Sequence, residues 1–448
     1  MNGFDHFVSN LPDQTVTSVR TAATKFAGLR RSTLPGLFSD VDAARQHAAK
    51  VKDYVLDNLR DLLVQFESKC GENGINVHWA SDAEQARKIV TKICLESAKP
   101  GATIVKAKSM ATEEIHLNHA LEGAGFEVVE TDLGEFVVQL DEDTPSHIVA
   151  PIIHKDRHQV SGAFERHGIG PKSEDPEVLT AQARAYLRSK FQKAEIGVSG
   201  VNFAIAETGR LVLVENEGNN RLSTTAPKVH IAVMGLEKLL PREADLPLFL
   251  KLLAGSATGQ KLTVYTHLIK RPRRAGEVDG PDSVHVVLLD NGRSRVVDGP
   301  YRSVLRCIRC GACLNACPVY RQSSGHAYGH VYSGPIGAVL APALEGIEAF
   351  GHLAKASTLC GECEEVCPVA IPLPAHLLRL RSEWVQSGSG GSTLPWKVLK
   401  DLSLNSARWN LALSLIPVTN GIPNPWSVNR SHPRREGRSF RKWWHERS

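Results

Sequence analysis

Seven of the nine cysteines in this chain lie between Cys307 and Cys367, at a spacing that suits metal chemistry. The first run is Cys307-Ile-Arg-Cys310-Gly-Ala-Cys313-Leu-Asn-Ala-Cys317-Pro318, or C-x2-C-x2-C-x3-C-P. The second, Cys360-Gly-Glu-Cys363-Glu-Glu-Val-Cys367-Pro368, keeps the last three cysteines of that pattern, with Ser357 where the first should stand. Thiolates at this spacing wrap one face of an iron–sulfur cube, and the cysteine before proline ligates the other cube when two are present. By that rule Cys307, Cys310, Cys313 and Cys367 hold a first [4Fe–4S] cluster. Cys317, Cys360 and Cys363 hold a second that is one thiolate short. Its remaining iron is open to water, Ser357, a histidine (His326, His330 and His352 lie between the motifs) or substrate oxygen, or is lost to leave [3Fe–4S]. Zinc and disulfides are weaker alternatives, because ligands packed this densely do not suit an ordinary zinc module.

The elements that must position this region read as alternating strands and helices. A helix starts at Ser39-Asp40, with Val41, Ala44, Ala48, Val51, Val55, Leu59 and Leu62 on one stripe. Strands are expected at 75–80, 103–107, 126–130, 136–140, 228–234, 261–267 and 283–289, with a hairpin over 200–215 turned at Thr208-Gly209. Intervening helical stretches imply βαβ units and a largely parallel sheet. The expected domains are an arm over 1–38, an α/β domain over 39–298, the iron–sulfur domain over 299–386, and a linker with a C-terminal extension over 387–448. Cys70 and Cys94 stand apart and read as packing residues.

With 448 residues, 42% hydrophobic and 23% charged, the composition is that of a globular protein of two or three domains. The net charge of +5 is a mild excess and names no partner. No run is long and apolar enough for a membrane span and the start carries no secretory pattern, so cytoplasmic location is expected. Residues 394–448 hold Trp396, Trp409, Trp426, Trp443 and Trp444 and a basic stretch from Arg430 to Lys442. These read as a docking extension, since no nucleic-acid module surrounds them.

Two stretches of the α/β domain are dense in polar residues. One runs from Glu130 to Glu135 and is followed by His147 and His154-Lys155. The other holds Glu207-Thr-Gly209 and then Glu215-Asn-Glu-Gly-Asn-Asn-Arg-Leu-Ser-Thr-Thr225. In open α/β sheets such loops gather beyond the carboxyl ends of strands and bind ligands there. Glu135, His154, Glu207, Glu217, Asn219, Arg221 and Thr224 are the candidate substrate-binding residues, with Arg221 as a carboxylate clamp. Solvated turns of capping residues are the alternative. Neither G-x-G-x-x-G after the first strand nor a P-loop is present.

These segments, with Gly134-Glu-Phe136, Ser146-His-Ile-Val-Ala-Pro151, Tyr332-Ser-Gly-Pro-Ile-Gly337 and the cysteine runs, resemble the lactate utilisation protein B (LutB, YkgF-type) family. The likeness runs from about residue 40 to the C-terminus, and absence of the second motif's first cysteine is usual in that family. It implies an LUD domain of NagB/RpiA/CoA-transferase-like type, followed by a helical ferredoxin-like two-cluster domain. It further implies an electron-transfer component of an L-lactate dehydrogenase complex that converts L-lactate to pyruvate with LutA- and LutC-like partners. A non-redox ligand-binding or sensor protein with structural clusters is the rival.

Overall fold

The computed structural model describes residues 3–388, 394–419 and 440–447. Its strands are β1 Ile75–Ala80, β2 Thr103–Lys106, β3 Glu127–Glu130, β4 Ile196–Gly200, β5 Phe203–Ile205, β6 Arg210–Glu215, β7 Val229–Gly235, β8 Leu239–Leu240, β9 Tyr265–Ile269 and β10 Ser283–Leu289. Six of them form a parallel sheet in the order β1-β10-β7-β4-β2-β3. Every residue of β7 is buried, as a strand covered on both faces requires.

Successive side chains of this sheet serve two cores, because their direction alternates along a strand. Ile231, Val233 and Val287 pack with Val90 and Cys94 of helix Ala83–Ser97. Ala232, Met234 and Val286 pack with Phe66 and Cys70 of helix Leu59–Glu72, and with Leu211 and Leu213 of a second sheet. That sheet has the order β8-β5-β6-β9 and contains the expected hairpin. Gly209 in its turn sits at φ +67, where an added Cβ would lie 2.7 Å from the Lys69 backbone. Cys70 and Cys94 are both fully buried, as packing residues.

Three sequence expectations change. Phe136–Leu140 is not a strand but part of helix Leu133–Leu140, because the Asp132 carboxylate accepts from the N–H groups of Gly134 and Glu135 and caps a helix there. The loop over 216–225 closes into a helix at Asn219–Thr225. The stretch 1–38, read as an arm, contains a helix at Asp13–Leu37 that buries Val19, Ala23 and Leu34.

The largest apolar cluster joins Val19 of this helix, Phe203, Ile205 and Phe249 of the α/β body, and Val304, Leu314, Tyr320, Leu340 and Leu377 of the cysteine region. Residues 1–384 accordingly make one compact unit. Residues 385–448 cluster separately. Among their described residues are helices Leu394–Ser403, Ser406–Thr419 and Phe440–His445, with Trp396 and Trp444 exposed. Trp426, most of the serine–glycine linker and residues 430–439 lie outside the described residues.

Candidate metal centre and adjoining cavity

The two cysteine motifs follow one backbone course. Arg309, at φ 60, precedes Cys310, and Gly311, at φ 74, follows it. Leu359, at φ 55, precedes Cys360, and Gly361, at φ 90, follows it. The Arg309 N–H donates to Cys307 Sγ at 3.4 Å, and the Leu359 N–H donates to Ser357 Oγ at 3.1 Å. Ser357 thus makes the same local hydrogen bond as the cysteine it replaces. Beyond the second motif, the Ile371 N–H donates to Cys367 Sγ at 3.4 Å. Backbone donors to sulfur are one of the means by which a protein sets a cluster's potential.

The thiols lie near enough to raise one another. Burial, then Cys307, Cys310, Cys367 and Cys363, pushes the Cys313 thiol well above its ordinary value. Burial also pushes Cys310 up to about 12, with Cys307 and Cys367 adding to it. Cys363 rises to about 12 through burial and then through Cys317 and Cys360. Thiols so crowded and buried ionise together only around a cationic core. This donor set, with its backbone donors and left-handed turns, fits iron–sulfur clusters.

Of the histidines between the motifs, His330 is committed on both ring nitrogens. Its Nε2 meets Glu345 Oε1 at 2.8 Å, and its Nδ1 accepts from the Tyr332 N–H. His326 Nε2 donates to the Thr144 carbonyl at 2.7 Å.

A cavity of about 320 Å³ opens at the carboxyl ends of the parallel strands, the usual ligand position in open α/β sheets. Lys108 follows β2, Asp132 follows β3, Asn202 follows β4, and Glu237 and Lys238 follow β7; all line it. Arg309 lines it too, from inside the first cysteine loop. Arg309 Nη2 lies 3.2 Å from Glu237 Oε1, and its guanidinium stacks over the Tyr332 ring at 4.6 Å. Glu237 also pairs with Arg293 at 2.7 Å. Arg293 in turn binds Glu114 through both terminal nitrogens, at 2.8 and 2.7 Å, and Tyr332 donates to Glu114 at 2.6 Å. This buried network ties the first cysteine loop to the sheet ends. Burial, and then Arg309, lowers the Lys238 ammonium to about 8. Burial, and then Asp132, raises the Glu217 carboxyl to about 7.

Of the sequence candidates, Glu217 and Asn219 line the cavity. Glu135 is buried, with Lys108 Nζ at 3.9 Å. His154 joins Asp143 at 2.9 Å in a cluster with Lys155 and His326. Glu207 accepts from the Glu243 N–H, and Thr224 donates to the Asn220 carbonyl. Arg221 is exposed over the Tyr265 ring at 4.9 Å rather than turned inward. The Ser146–His147 segment keys into the cysteine region instead. His147 Nε2–H donates to Asn315 at 3.1 Å, since Nδ1 accepts from Val149 and Ala150, and Tyr320 donates to the Ser146 carbonyl at 2.7 Å.

Sequence reasoning missed Arg293, Glu237 and Glu114, whose partners lie far away in the chain, and Lys238, which lies in no quoted motif. Arg309 and Tyr332 sat inside quoted motifs without being singled out.

An α/β body whose cavity abuts a region of paired cysteine motifs defines an iron–sulfur protein. An LUD domain matches residues 63–289, and a 4Fe-4S dicluster domain matches residues 303–371. The "Uncharacterized electron transport protein YkgF" of Escherichia coli is 45% identical over 89% of this chain and 87% of its own length. The "Lactate utilization protein B" of Bacillus subtilis is 42% identical over 90% of this chain and 87% of its own. The chain belongs to the lactate utilization protein B family. A crystal structure of a DUF162 family protein from Deinococcus radiodurans covers 52% of this chain and 98% of its own, at 15% identity and a TM-score of 0.29. Among the described residues, no helix is long and apolar enough to cross a membrane.

Proposed function

We propose that this chain is the electron-transferring iron–sulfur subunit of a system that oxidises L-lactate to pyruvate, acting in the cytoplasm with LutA- and LutC-like partners. The observation that carries this reading is the shared backbone course of the two cysteine motifs, whose spacing divides the thiols into a first set of Cys307, Cys310, Cys313 and Cys367 and a second of Cys317, Cys360 and Cys363. The first set holds one [4Fe–4S] cluster. The second set holds another, with Ser357 Oγ as its fourth donor. Support for Ser357 is its backbone hydrogen bond, the counterpart of the one Cys307 receives.

Bound clusters supply one-electron transfer. Oxidation of a 2-hydroxy acid to a 2-oxo acid releases a pair of electrons and a pair of protons, so two clusters in one chain match the electron count. The chain's own part is to hold the clusters, to donate backbone hydrogen bonds to the Cys307 and Cys367 sulfurs, and to brace the first loop through Arg309. In this reading the α/β body is of NagB/RpiA/CoA-transferase-like type, supported by its parallel sheet.

The test is iron analysis and a redox titration followed by electron paramagnetic resonance on anaerobically purified protein. Two full clusters give about eight irons per chain, against about seven with a [3Fe–4S] second cluster, and both reduce reversibly. Clusters that cannot be reduced reversibly, or a chain that binds zinc instead, overturn the reading.

A further inference from the structure

Most charged groups on the cavity walls are already committed. Glu237 is paired with Arg293 and Arg309. Glu215 accepts from His267 and from the N–H groups of Asn220 and Arg221. Lys108 donates to the Ile148 carbonyl. Two cationic groups keep capacity to spare. Nε and Nη1 of Arg309 are buried without a hydrogen-bond partner among the described residues. Lys238 makes no hydrogen bond or ion pair among the described residues. The buried unpaired nitrogens of Arg309 are costly, and here Arg309 and the half-buried Lys238 line the same space as the Asn219 amide and apolar Phe26, Ile148 and Met234.

We propose that this cavity binds a small monocarboxylate with a second oxygen beside the carboxylate, a 2-hydroxy or 2-oxo acid, and that Lys238 and Arg309 grip its carboxylate. The anion's charge answers the unpaired Lys238 ammonium and the spare donors of Arg309, Asn219 offers hydrogen bonding to the neighbouring oxygen, and the apolar wall takes the hydrocarbon end. A dianion such as phosphate fits less well, because Asp132 and Glu217 also line the space. Arg309 stands between Cys307 and Cys310 and its backbone N–H donates to Cys307 Sγ, so a carboxylate on that guanidinium lies one residue from the first cysteine group. The ligand therefore belongs beside the first set of thiols. A second cavity, lined by Arg30, Arg31, Arg321 and Cys360, borders the other set. This inference rests on the iron–sulfur reading above for the identity of what the cavity borders.

Calorimetric titration of the anaerobic, iron-loaded full chain with pyruvate tests it, together with Lys238→Met and Arg321→Met variants of matched iron content. The expected result is saturable binding, weakened about tenfold or more by Lys238→Met, since hydrogen bonds to charged groups carry that much. Binding is unchanged in Arg321→Met and is not displaced by inorganic phosphate. An Asn219→Ala variant, which leaves the ion pairs intact, weakens binding to a lesser degree. Absence of saturable binding, equal affinity in Lys238→Met, or loss in Arg321→Met instead overturns the proposal. Reversible cluster reduction is measured on the same samples. A chain that reduces normally but does not bind pyruvate fails only this inference, and one that binds pyruvate without reversible reduction fails only the electron-transfer reading.

Discussion

In the first cysteine loop Cys310 is 7% exposed, beside Arg30 of the long N-terminal helix, and the neighbouring Arg309 lines the cavity. In the second loop the equivalent Cys360 is exposed, and the residues after it, Glu362, Glu364 and Glu365, start a short acidic helix. The backbone turns are the same, so the difference lies in the surroundings. The inner group is braced by buried ion pairs to the sheet that forms the cavity. The outer group shows an edge to solvent, where a partner protein can approach it. Solvent exposure and hydrogen bonds to sulfur also tune a cluster's potential, so two loops of one design sit in unlike surroundings, one bordering the cavity and the other open to solvent.

The largest effect that would break this contrast comes from the cysteines themselves. Cys310→Ser should cut iron content by about half and also loosen the core, because metal binding at a buried site is folding free energy. Cys360→Ser should cut iron similarly while the melting temperature holds far better. Iron analysis with thermal melting checks both, and equal destabilisation would mean that the two loops are equally structural.

The brace comes next. Arg293→Met leaves Glu114 buried with an unanswered charge and Glu237 with Arg309 alone, and should cost about 3–5 kcal/mol in denaturant unfolding. The pair of Arg45 with the exposed Asp42, beside the carbonyls of Glu364 and Cys367, is a surface contact. Asp42→Asn should cost less than about 1 kcal/mol.

Ser357→Cys sharpens the outer half of the comparison. Iron should stay at about eight per chain, with only the second cluster's resonance altered. A gain of about one iron would show that the wild-type second cluster is [3Fe–4S].

The smallest effect is a pH dependence. Burial and Asp132 raise Glu217 to about 7 from an ordinary 4.5, with Glu215 adding to it and Lys108 opposing it. The folded chain therefore keeps a proton that the unfolded chain has lost between those values, and this group's contribution to stability falls as pH rises through that window. Ionisation adds negative charge to the cavity, so pyruvate affinity should drop a few-fold, on the order of 1 kcal/mol, between pH 6 and 8. Titrations of Glu217→Gln should show that drop removed.

Much of this was legible in the sequence because it rests on local rules. Val229–Gly235 and Ser283–Leu289 are apolar runs that suit only buried parallel strands, and the cysteine spacing names its chemistry. Phe136-Val-Val-Gln-Leu140 misled because β-branched and aromatic residues favour strands, whereas the cap from Asp132 decides the outcome. The helix Asp13–Leu37 was hidden because it buries only Val19, Ala23 and Leu34 outright, too sparse a stripe to stand out. The cavity was only half visible. Glu217 and Asn219 lie in a polar run, but the network of Arg309, Glu237, Arg293 and Glu114 joins residues up to 179 positions apart, and no periodicity reports such pairs.

The most direct test of the inner-and-outer account is electron paramagnetic resonance of the reduced, anaerobic full chain with and without pyruvate, the two signals being assigned by Cys360→Ser. The account predicts that pyruvate shifts the signal that survives in Cys360→Ser and leaves the other unchanged. A shift confined to the signal that Cys360→Ser abolishes would place the ligand at the outer cluster and contradict it.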